Sequence, residues 1–501
     1  MGISFFTFLS RILGFIRDLV FAHQFGAGAG TDAFFVAFKI PNFMRRLFAE
    51  GAFASAFIPI LTEIKNKKDH FKLQDFINQV ATRLAVILLI VTLIGVISSP
   101  VLVMIFAPGF SSGGDKALLT SEMLKLTFPY LFFISLTAFS GSILNTHGRF
   151  YAPAFTPILL NVVLISCALW LSPLMERPIV ALAWGVFIAG IVQLLFQIPF
   201  LRQLKLFPRF SYKAKDKGVK KVLKLMIPAL FGVSVTQLNL LLDTLLASFL
   251  ETGSISWLYY SDRLMEFPLG VLGVALTTIV LPTLSNQHNN KSTEQFSKTL
   301  DWALRWVILL GMPSMVGLFL LAGPLVSTLF QSDVFTPRAV QLASNSLMAY
   351  SLGLVFFMAI KILAPGFYAR QDTKTPVKIA IIALIANMVF NLLLIIPLKH
   401  VGLALATTLS ASLNAGLLYW GLVKIGAYKP QKDSLRYLFS SLTGCFFMGL
   451  ILWFGAGDLA EWTHASLSHK IIHLLSLIVS AIIIYFIILF GLGVRIKDFK
   501  D

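Results

Sequence analysis

The run LAVILLIVTLIGVISSPVLVMIF, residues 84–106, contains no charged side chain. It exceeds the about 20 apolar residues with which an α-helix crosses the hydrocarbon core of a bilayer. Similar runs recur through the 501-residue chain, in which 57% of residues are hydrophobic and only 13% are charged. Soluble domains are about 25% charged. The composition therefore excludes a water-soluble globule and predicts an all-α, polytopic membrane protein.

Hydrophobic periodicity and the intervening polar stretches predict fourteen transmembrane helices. Their spans are 3–25, 31–61, 76–106, 119–145, 151–174, 178–201, 219–250, 254–285, 296–330, 339–365, 376–397, 400–425, 433–456 and 468–493. The first span has no basic leader and no small-residue cleavage site, so we predict a retained helix rather than a signal peptide.

The net charge of +18 is concentrated in alternate loops. Predicted inner loops are rich in Lys and Arg, above all the stretch 202–221, whereas the outer loops hold only Lys116, Arg177, Arg338, Lys399 and Lys470. This bias predicts both termini in the cytoplasm. The basic excess is therefore a topology signal with weak attraction to anionic lipid, and no nucleic-acid partner is expected.

The chain also contains an internal repeat. The stretch ILNTHGRFYAPAFTP at 143–157 aligns with ILAPGFYARQDTKTP at 362–376. Because six helices separate the copies, the repeats share one orientation, and we predict two six-helix lobes related by an axis along the membrane normal. The predicted organisation is an N-lobe at 1–201, a basic linker at 202–221, a C-lobe at 219–425, and helices 13 and 14 at 433–493.

Charged side chains interrupt three predicted helices, although an ionisable group at the membrane centre costs about 2.5–3.5 kcal/mol on insertion scales. They are Arg11, Arg17 and Asp18 in helix 1; Asp32, Lys39, Arg45, Arg46 and Glu50, with the polar Asn42, in helix 2; and Asp262, Arg263 and Glu266 in helix 8. Helical spacing places the helix 2 charges other than Arg45 along one stripe. It puts Arg11 and Asp18 on one face of helix 1. We predict that the three helices line one water-accessible space.

Helices 1 and 2 together carry five cations and three anions. The positive surplus favours an anionic ligand, and the planar fork of arginine suits phosphate or pyrophosphate. The alternative is that these charges form internal ion pairs that only fasten the helices together.

A second polar group is predicted in the C-lobe. Its members are Asp243 in helix 7, Asn387 and Asn391 in helix 11, and Thr407 and Thr408 in helix 12. Such oxygen atoms can bind a small hard cation, and Asp243 alone can carry a proton. The alternative is an aspartate hydrogen-bonded to neighbouring helices without any ion.

Several motifs together resemble the MurJ (MviN) family of lipid II flippases. They are RILGFIRD from Arg11, GTDAFFVAFKIPNFMRRLFAEGAF from Gly30, YYSDRLMEFPLGVLGVAL from Tyr259 and LAPGFYARQDTKTPVKIA from Leu363. The likeness covers nearly the whole chain and is weakest in helices 13 and 14. The family belongs to the multidrug, oligosaccharidyl-lipid and polysaccharide exporter superfamily. Members of this superfamily have a two-lobe architecture like the one predicted here.

The resemblance implies a transporter, not an enzyme, that moves lipid II from the cytoplasmic to the periplasmic leaflet of the bacterial inner membrane for peptidoglycan synthesis and cell shape. It implies substrate-binding roles for Arg11, Arg17, Arg45 and Arg263, with the other charges of helices 1, 2 and 8 as companions. The family's cation site is matched only partly, since Asn391 stands where a carboxylate is expected. No cofactor is implied beyond Na⁺ or H⁺ as coupling ion.

The expected partners are lipid II, bilayer lipids and the cell-wall synthesis machinery, and the chain is expected to be a monomer. Helices 13 and 14 are candidates for a groove that holds the lipid tail. Rival readings are a cation-coupled multidrug or other lipid-linked oligosaccharide exporter, a membrane enzyme acting on lipid-linked sugars, and a structural subunit. The positive surplus disfavours the multidrug exporter, and the short loops offer no platform for the enzyme.

Overall fold

The chain is described by a computed structural model. It covers residues 2–46, 53–67, 69–211, 218, 220–222, 224–226, 239, 241–290, 292–431 and 434–495. Every regular element in these ranges is a helix, which confirms the predicted all-α class. The chain divides into two compact units, Met1–Ser256 and Trp257–Asp501.

The first unit contains nine helices with defined bounds and the start of a tenth. They are α1 (Gly2–Phe25), α2 (Ala29–Arg45), α3 (Ala54–Asn66), α4 (His70–Ile97), α5 (Ser99–Phe106), α6 (Asp115–Thr127), α7 (Tyr130–Thr146), α8 (Tyr151–Ser166), α9 (Val180–Gln203) and α10 (Ser254–Pro268). Phenylalanine rings from α3, α4 and α7 pack together in the core of this unit. The centre of the Phe57 ring lies within 6 Å of the ring centres of Phe76 and Phe139.

The second unit contains the remaining helices. They are α11 (Val274–Asn289), α12 (Thr293–Trp306), α13 (Met312–Leu320), α14 (Ala322–Phe330), α15 (Pro337–Ser351), α16 (Leu354–Tyr368), α17 (Lys374–Lys424), α18 (Ser434–Ala456), α19 (Leu459–His464) and α20 (Leu467–Gly491). Helices α18 and α20 correspond to predicted helices 13 and 14. They pack on each other and on α13, and Tyr485 of α20 donates a hydrogen bond to the Leu309 carbonyl at 2.7 Å.

Ten helical stretches of the described chain are long and apolar enough to cross a membrane. This number confirms a multi-pass protein, whereas the predicted count of fourteen stays a prediction. Helix α1 carries three charged residues and α2 has only 17 residues, so neither is among the ten. Most of the helix predicted over 219–250 lies outside the described residues.

Helix α17 corresponds to two predicted helices, 376–397 and 400–425. Its backbone leaves helical geometry at Lys399, with φ 51° and ψ −128°. Pro397 cannot donate a backbone hydrogen bond, and a Cβ at Gly402 would lie 2.3 Å from the Leu394 carbonyl oxygen. The sharp turn between the two predicted spans therefore depends on a glycine that permits close backbone approach.

The division after Ser256 places the described residues between 202 and 256 with the first unit. Lys221 pairs with Glu63 at 3.0 Å, and Gly109 donates its backbone N–H to Ser248 Oγ at 3.1 Å. A Cβ at Gly109 would lie 2.2 Å from the Ser248 carbonyl oxygen, so this contact also requires glycine. The lobe boundary predicted at 202–221 stays a prediction.

Candidate functional site

Arg17 of α1 is held by two side chains. Its Nε and Nη2 atoms donate to Asp18 Oδ1 at 3.0 and 2.7 Å, and its Nη1 donates to Asn161 Oδ1 on α8 at 3.1 Å. Asn161 Nδ2 donates in turn to the Ser10 carbonyl at 3.0 Å. Only 7% of Arg17 and 1% of Asp18 is exposed. In this structure the guanidinium is enclosed and has a defined direction, and it does not lie open to water.

Asp32 of α2 accepts four hydrogen bonds. Lys116 Nζ donates to Oδ2 at 2.8 Å, as does the backbone N–H of Gly253, also at 2.8 Å. Ser256 donates to Oδ1 from both its backbone N–H, at 2.9 Å, and its hydroxyl, at 2.7 Å. The first backbone N–H groups of a helix have no acceptor within the helix. The Asp32 carboxylate accepts hydrogen bonds from two such groups at the start of α10.

This environment corrects the predicted role of Asp32 in the helix 2 stripe. Asp32 is 1% exposed, and its contacts are Lys116, Gly253 and Ser256 rather than Lys39 or Arg46. Helical spacing places these residues on one side of α2. Other parts of the protein bury that side at Asp32, whereas Lys39 is half-buried and Arg46 is exposed. Asp32 therefore acts as a buried anchor in this structure.

The remaining helix 1 and helix 2 residues lie in more open positions. Arg45 is half-buried and donates from Nε to Asn42 Oδ1 at 2.8 Å. Lys39 is also half-buried, whereas Arg11 and Arg46 are exposed. Glu50 lies outside the described residues. Arg45 and Arg11 are therefore more accessible guanidinium groups than Arg17.

In the second unit, α10 carries the predicted helix 8 charges. Arg263 Nη1 lies 2.8 Å from Glu266 Oε2, three residues further along the same helix. The Arg263 guanidinium also lies 5.0 Å from the centre of the Tyr259 ring. The side chain of Arg263 keeps 37% of its surface exposed, and Asp262 beside it is half-buried. That these groups share one cavity with helices 1 and 2 stays a prediction.

The candidate cation ligands of α17, Asn387, Asn391 and Thr408, are buried. Asn391 Nδ2 donates to Asn387 Oδ1 at 2.8 Å, while Asn387 Nδ2 has no hydrogen-bond acceptor in the described part of the chain. Thr408 Oγ1 donates to the Ala349 carbonyl at 2.8 Å. A hard cation needs several converging oxygens. A cation site formed by these residues and Asp243, which lies half-buried in the first unit, therefore stays a prediction.

Two contributors to these clusters were missed by the sequence reasoning. Asn161 is the only amide in the predicted span 151–174, which contains no charged residue, and an amide in such a span often hydrogen-bonds to a neighbouring helix. Lys116 is predicted from the sequence only as an outer-loop charge. Its pairing with Asp32, 84 residues away, leaves no periodic pattern in the sequence.

Taken individually, the accessible arginines are suited to binding an anion. Arg45 and Arg263 each have one guanidinium side fixed by a neighbouring side chain, through Asn42 and Glu266 respectively. A guanidinium presents five N–H donors in a planar fork, a geometry that suits phosphate oxygens.

Comparisons with known proteins agree with these features. A family model described as lipid II flippase MurJ matches residues 21–475. The chain is 49% identical to the probable lipid II flippase MurJ of Haemophilus influenzae, over 98% of each chain. It is 41% identical to the lipid II flippase MurJ of Burkholderia cenocepacia, over 100% of this chain and 98% of the relative.

Solved structures show the same likeness. A structure described as lipid II flippase MurJ in an inward closed conformation matches with a TM-score of 0.81 at 30% identity, over 97% of both chains. An inward-facing multidrug transporter of the MATE family matches with a TM-score of 0.65, over 83% of this chain and 95% of that one. At 14% identity the second match concerns the fold alone.

Proposed function

Because this chain belongs to the MurJ family of lipid II flippases, we propose that it moves lipid II, the undecaprenyl-pyrophosphate-linked peptidoglycan precursor, from the cytoplasmic to the periplasmic leaflet. The observation that carries this proposal is the family match over nearly the entire chain, with full-length relatives at up to 49% identity. The protein is accordingly a multi-pass membrane transporter, not an enzyme.

In this proposal the pyrophosphate is bound by arginines. Arg45 and Arg263 have partly exposed guanidinium groups with one edge already oriented, and Arg11 is exposed. Orientation before binding lowers the entropic cost of ordering a long side chain. Arg17 then contributes the field of an enclosed cation whose charge is partly balanced by Asp18.

Transport is proposed to follow alternating access, with two lobes moving about a cavity near the membrane midplane. We propose H⁺ as the coupling ion, carried by Asp243, because a single carboxylate can carry a proton, whereas a sodium site needs several converging oxygens. The apolar helices α18 and α20 are proposed to provide the groove for the lipid tail. We further propose a monomer with both termini in the cytoplasm, adjacent to cell-wall synthesis proteins.

The test is leaflet-resolved accessibility of labelled lipid II in cells depleted of this protein and complemented with variants. Arg45→Ala should abolish the appearance of lipid II in the outer leaflet, and Arg45→Lys should impair it, because an ammonium lacks the planar fork. Arg177→Ala, at an exposed arginine, is the matched control and should complement fully. Normal flipping by Arg45→Ala at equal protein levels would contradict the role of Arg45.

A further inference from the structure

The chain that follows α9 runs along the side of α4. The carbonyl of Phe207 accepts a hydrogen bond from Gln74 Nε2 at 3.0 Å. Asn78 Oδ1 accepts from the backbone N–H of Arg209 at 2.8 Å, and Thr82 Oγ1 accepts from that of Ser211 at 2.9 Å. We refer to Phe207–Ser211 as the docked segment.

The spacing of these bonds explains why the two parts fit. Gln74, Asn78 and Thr82 are four residues apart, which is about 6 Å along a helix. Their backbone partners are two residues apart, which is about 6.6 Å along an extended chain. Because the bonds use backbone atoms of the docked segment, they fix its path without using its side chains, which are left for other contacts.

The docked segment ends near the start of the lipid-facing surface of α4. Exposed large apolar side chains on this helix form a band from Val86 to Ile97. Thr82, which binds Ser211, precedes Val86 by four residues, or about 6 Å. The end of the docked segment therefore lies at the level where a bilayer surface would meet α4.

The side chains that the docked segment presents are aromatic and basic. Phe210 is 82% exposed, and Arg209 beside it is also exposed. The predicted linker around them, 202–221, carries eight Lys and Arg residues and one acid, Asp216. An apolar ring with flanking cations is the combination that inserts into the headgroup region of a membrane.

We propose that the docked segment is a binding surface for acidic phospholipid headgroups, with Phe210 inserted at the bilayer surface and Arg209 contacting lipid phosphate. The occupant is assigned from charge complementarity and from the level of the segment on α4. The contact anchors the connection that follows α9 to the membrane, independently of the transported cargo and of the flippase activity proposed above.

The first experiment measures where Phe210 lies. Full-length protein with Cys167 and Cys445 replaced by alanine carries Phe210→Cys labelled with a fluorophore, in phosphatidylcholine vesicles with and without phosphatidylglycerol. Headgroup-region brominated lipid should quench this label, more strongly with phosphatidylglycerol. Phe71→Cys is the matched control, because Phe71 is 80% exposed but precedes Thr82 on α4 by eleven residues, or about 16 Å. Its label should not be quenched.

The second experiment separates the cation from the docking. Arg209→Gln should reduce the preference for phosphatidylglycerol roughly five-fold, as for one cation near a charged surface. Combined Asn78→Leu and Thr82→Val should abolish quenching of the Phe210 label, whereas Thr92→Val on the same helix should not.

Equal quenching at positions 71 and 210, or quenching that does not depend on phosphatidylglycerol, would overturn the proposal. So would a Phe210 label shielded from both water and lipid, which would show that position 210 packs against the protein itself.

Discussion

Asn161 Oδ1 lies 3.1 Å from Arg17 Nη1, and the same amide donates from Nδ2 to the Ser10 carbonyl at 3.0 Å. Since a backbone carbonyl can only accept, the Ser10 bond requires the nitrogen of the amide on that side. The oxygen must then face Arg17. Asn161 is therefore placed to orient Arg17 from a different helix.

Replacing Asn161 by leucine should impair transport while the protein still inserts. A hydrogen bond to a charged group contributes about 1.5–3 kcal/mol, so we expect flipping to fall about ten-fold or more if Arg17 must be oriented. The measurement is lipid II flipping at equal protein levels. Val162→Ala is the control, because Val162 is the next residue and is 44% exposed.

A double mutant separates orientation of Arg17 from general packing. If Asn161 acts through Arg17, Asn161→Leu should add little in an Arg17→Lys background. Full additivity of the two losses would show that Asn161 serves only the packing of α8.

The buried pair of Asp32 and Lys116 should matter for stability. Their side chains are 1% and 12% exposed, and removing one partner of a buried pair costs up to about 3–5 kcal/mol. Lys116→Met should lower the free energy of unfolding by less than this but by more than about 1 kcal/mol, because three neutral donors to Asp32 remain. The measurement is the thermal unfolding midpoint in detergent.

The control for this prediction is the exposed pair of Arg177 and Glu122, whose side chains are 65% and 52% exposed. Arg177→Met should change stability by about 0–1 kcal/mol. Adding Asp32→Asn to Lys116→Met should recover part of the loss, because the uncompensated charge disappears. Equal effects at the two pairs would contradict a structural role for Lys116.

A third prediction concerns the connection between α17 and α18. Asp301 of α12 accepts from the Tyr428 hydroxyl at 2.9 Å and from Ser434 Oγ at 2.8 Å, and Asp301 is 2% exposed. Asp301→Leu should release this connection and accelerate tryptic cleavage after Lys424, the last residue of α17. Tyr428→Phe should have a smaller effect, about 1.5–3 kcal/mol for one hydrogen bond to a charged group, because the Ser434 bond remains.

Glu294→Gln is the matched control on α12, because Glu294 is 82% exposed and pairs only at the surface. Burial and then the neighbouring Asp301 carboxylate raise the pKa of Tyr428 above its ordinary 10.0. Since the folded state holds this proton more tightly, the contact should persist at lower pH and weaken only as the pH rises above about 10. Unchanged cleavage in Asp301→Leu would show that other contacts hold the connection.

The last prediction tests the coupling ion. Asp243→Asn keeps the shape of the side chain but removes its charge, so flipping should lose its dependence on the proton gradient. Asn387→Ala should leave ion dependence unchanged, because a proton site needs no ring of oxygens. The measurement is flipping in cells with imposed pH or Na⁺ gradients. Loss of Na⁺ dependence in Asn387→Ala would establish a sodium site.

Several local features of the fold and of the charged clusters followed from the sequence alone. Hydrophobic runs predicted the membrane helices, and the separation of spans 376–397 and 400–425 was confirmed at Lys399. The contacts of Arg263 with Glu266 and of Asn387 with Asn391 likewise join residues that helical spacing alone brings together. Periodicity succeeds in these cases because the partners lie within four residues on one helix.

Contacts between distant helices were decided only by tertiary structure. The sequence indicated that Asp32 and Arg17 sit inside the membrane protein, since buried charges require special surroundings. It did not indicate that Lys116 pairs with Asp32, or that Asn161 orients Arg17. Helix periodicity specifies the face on which a side chain lies, whereas packing of the other helices determines which group meets that face and whether water reaches it.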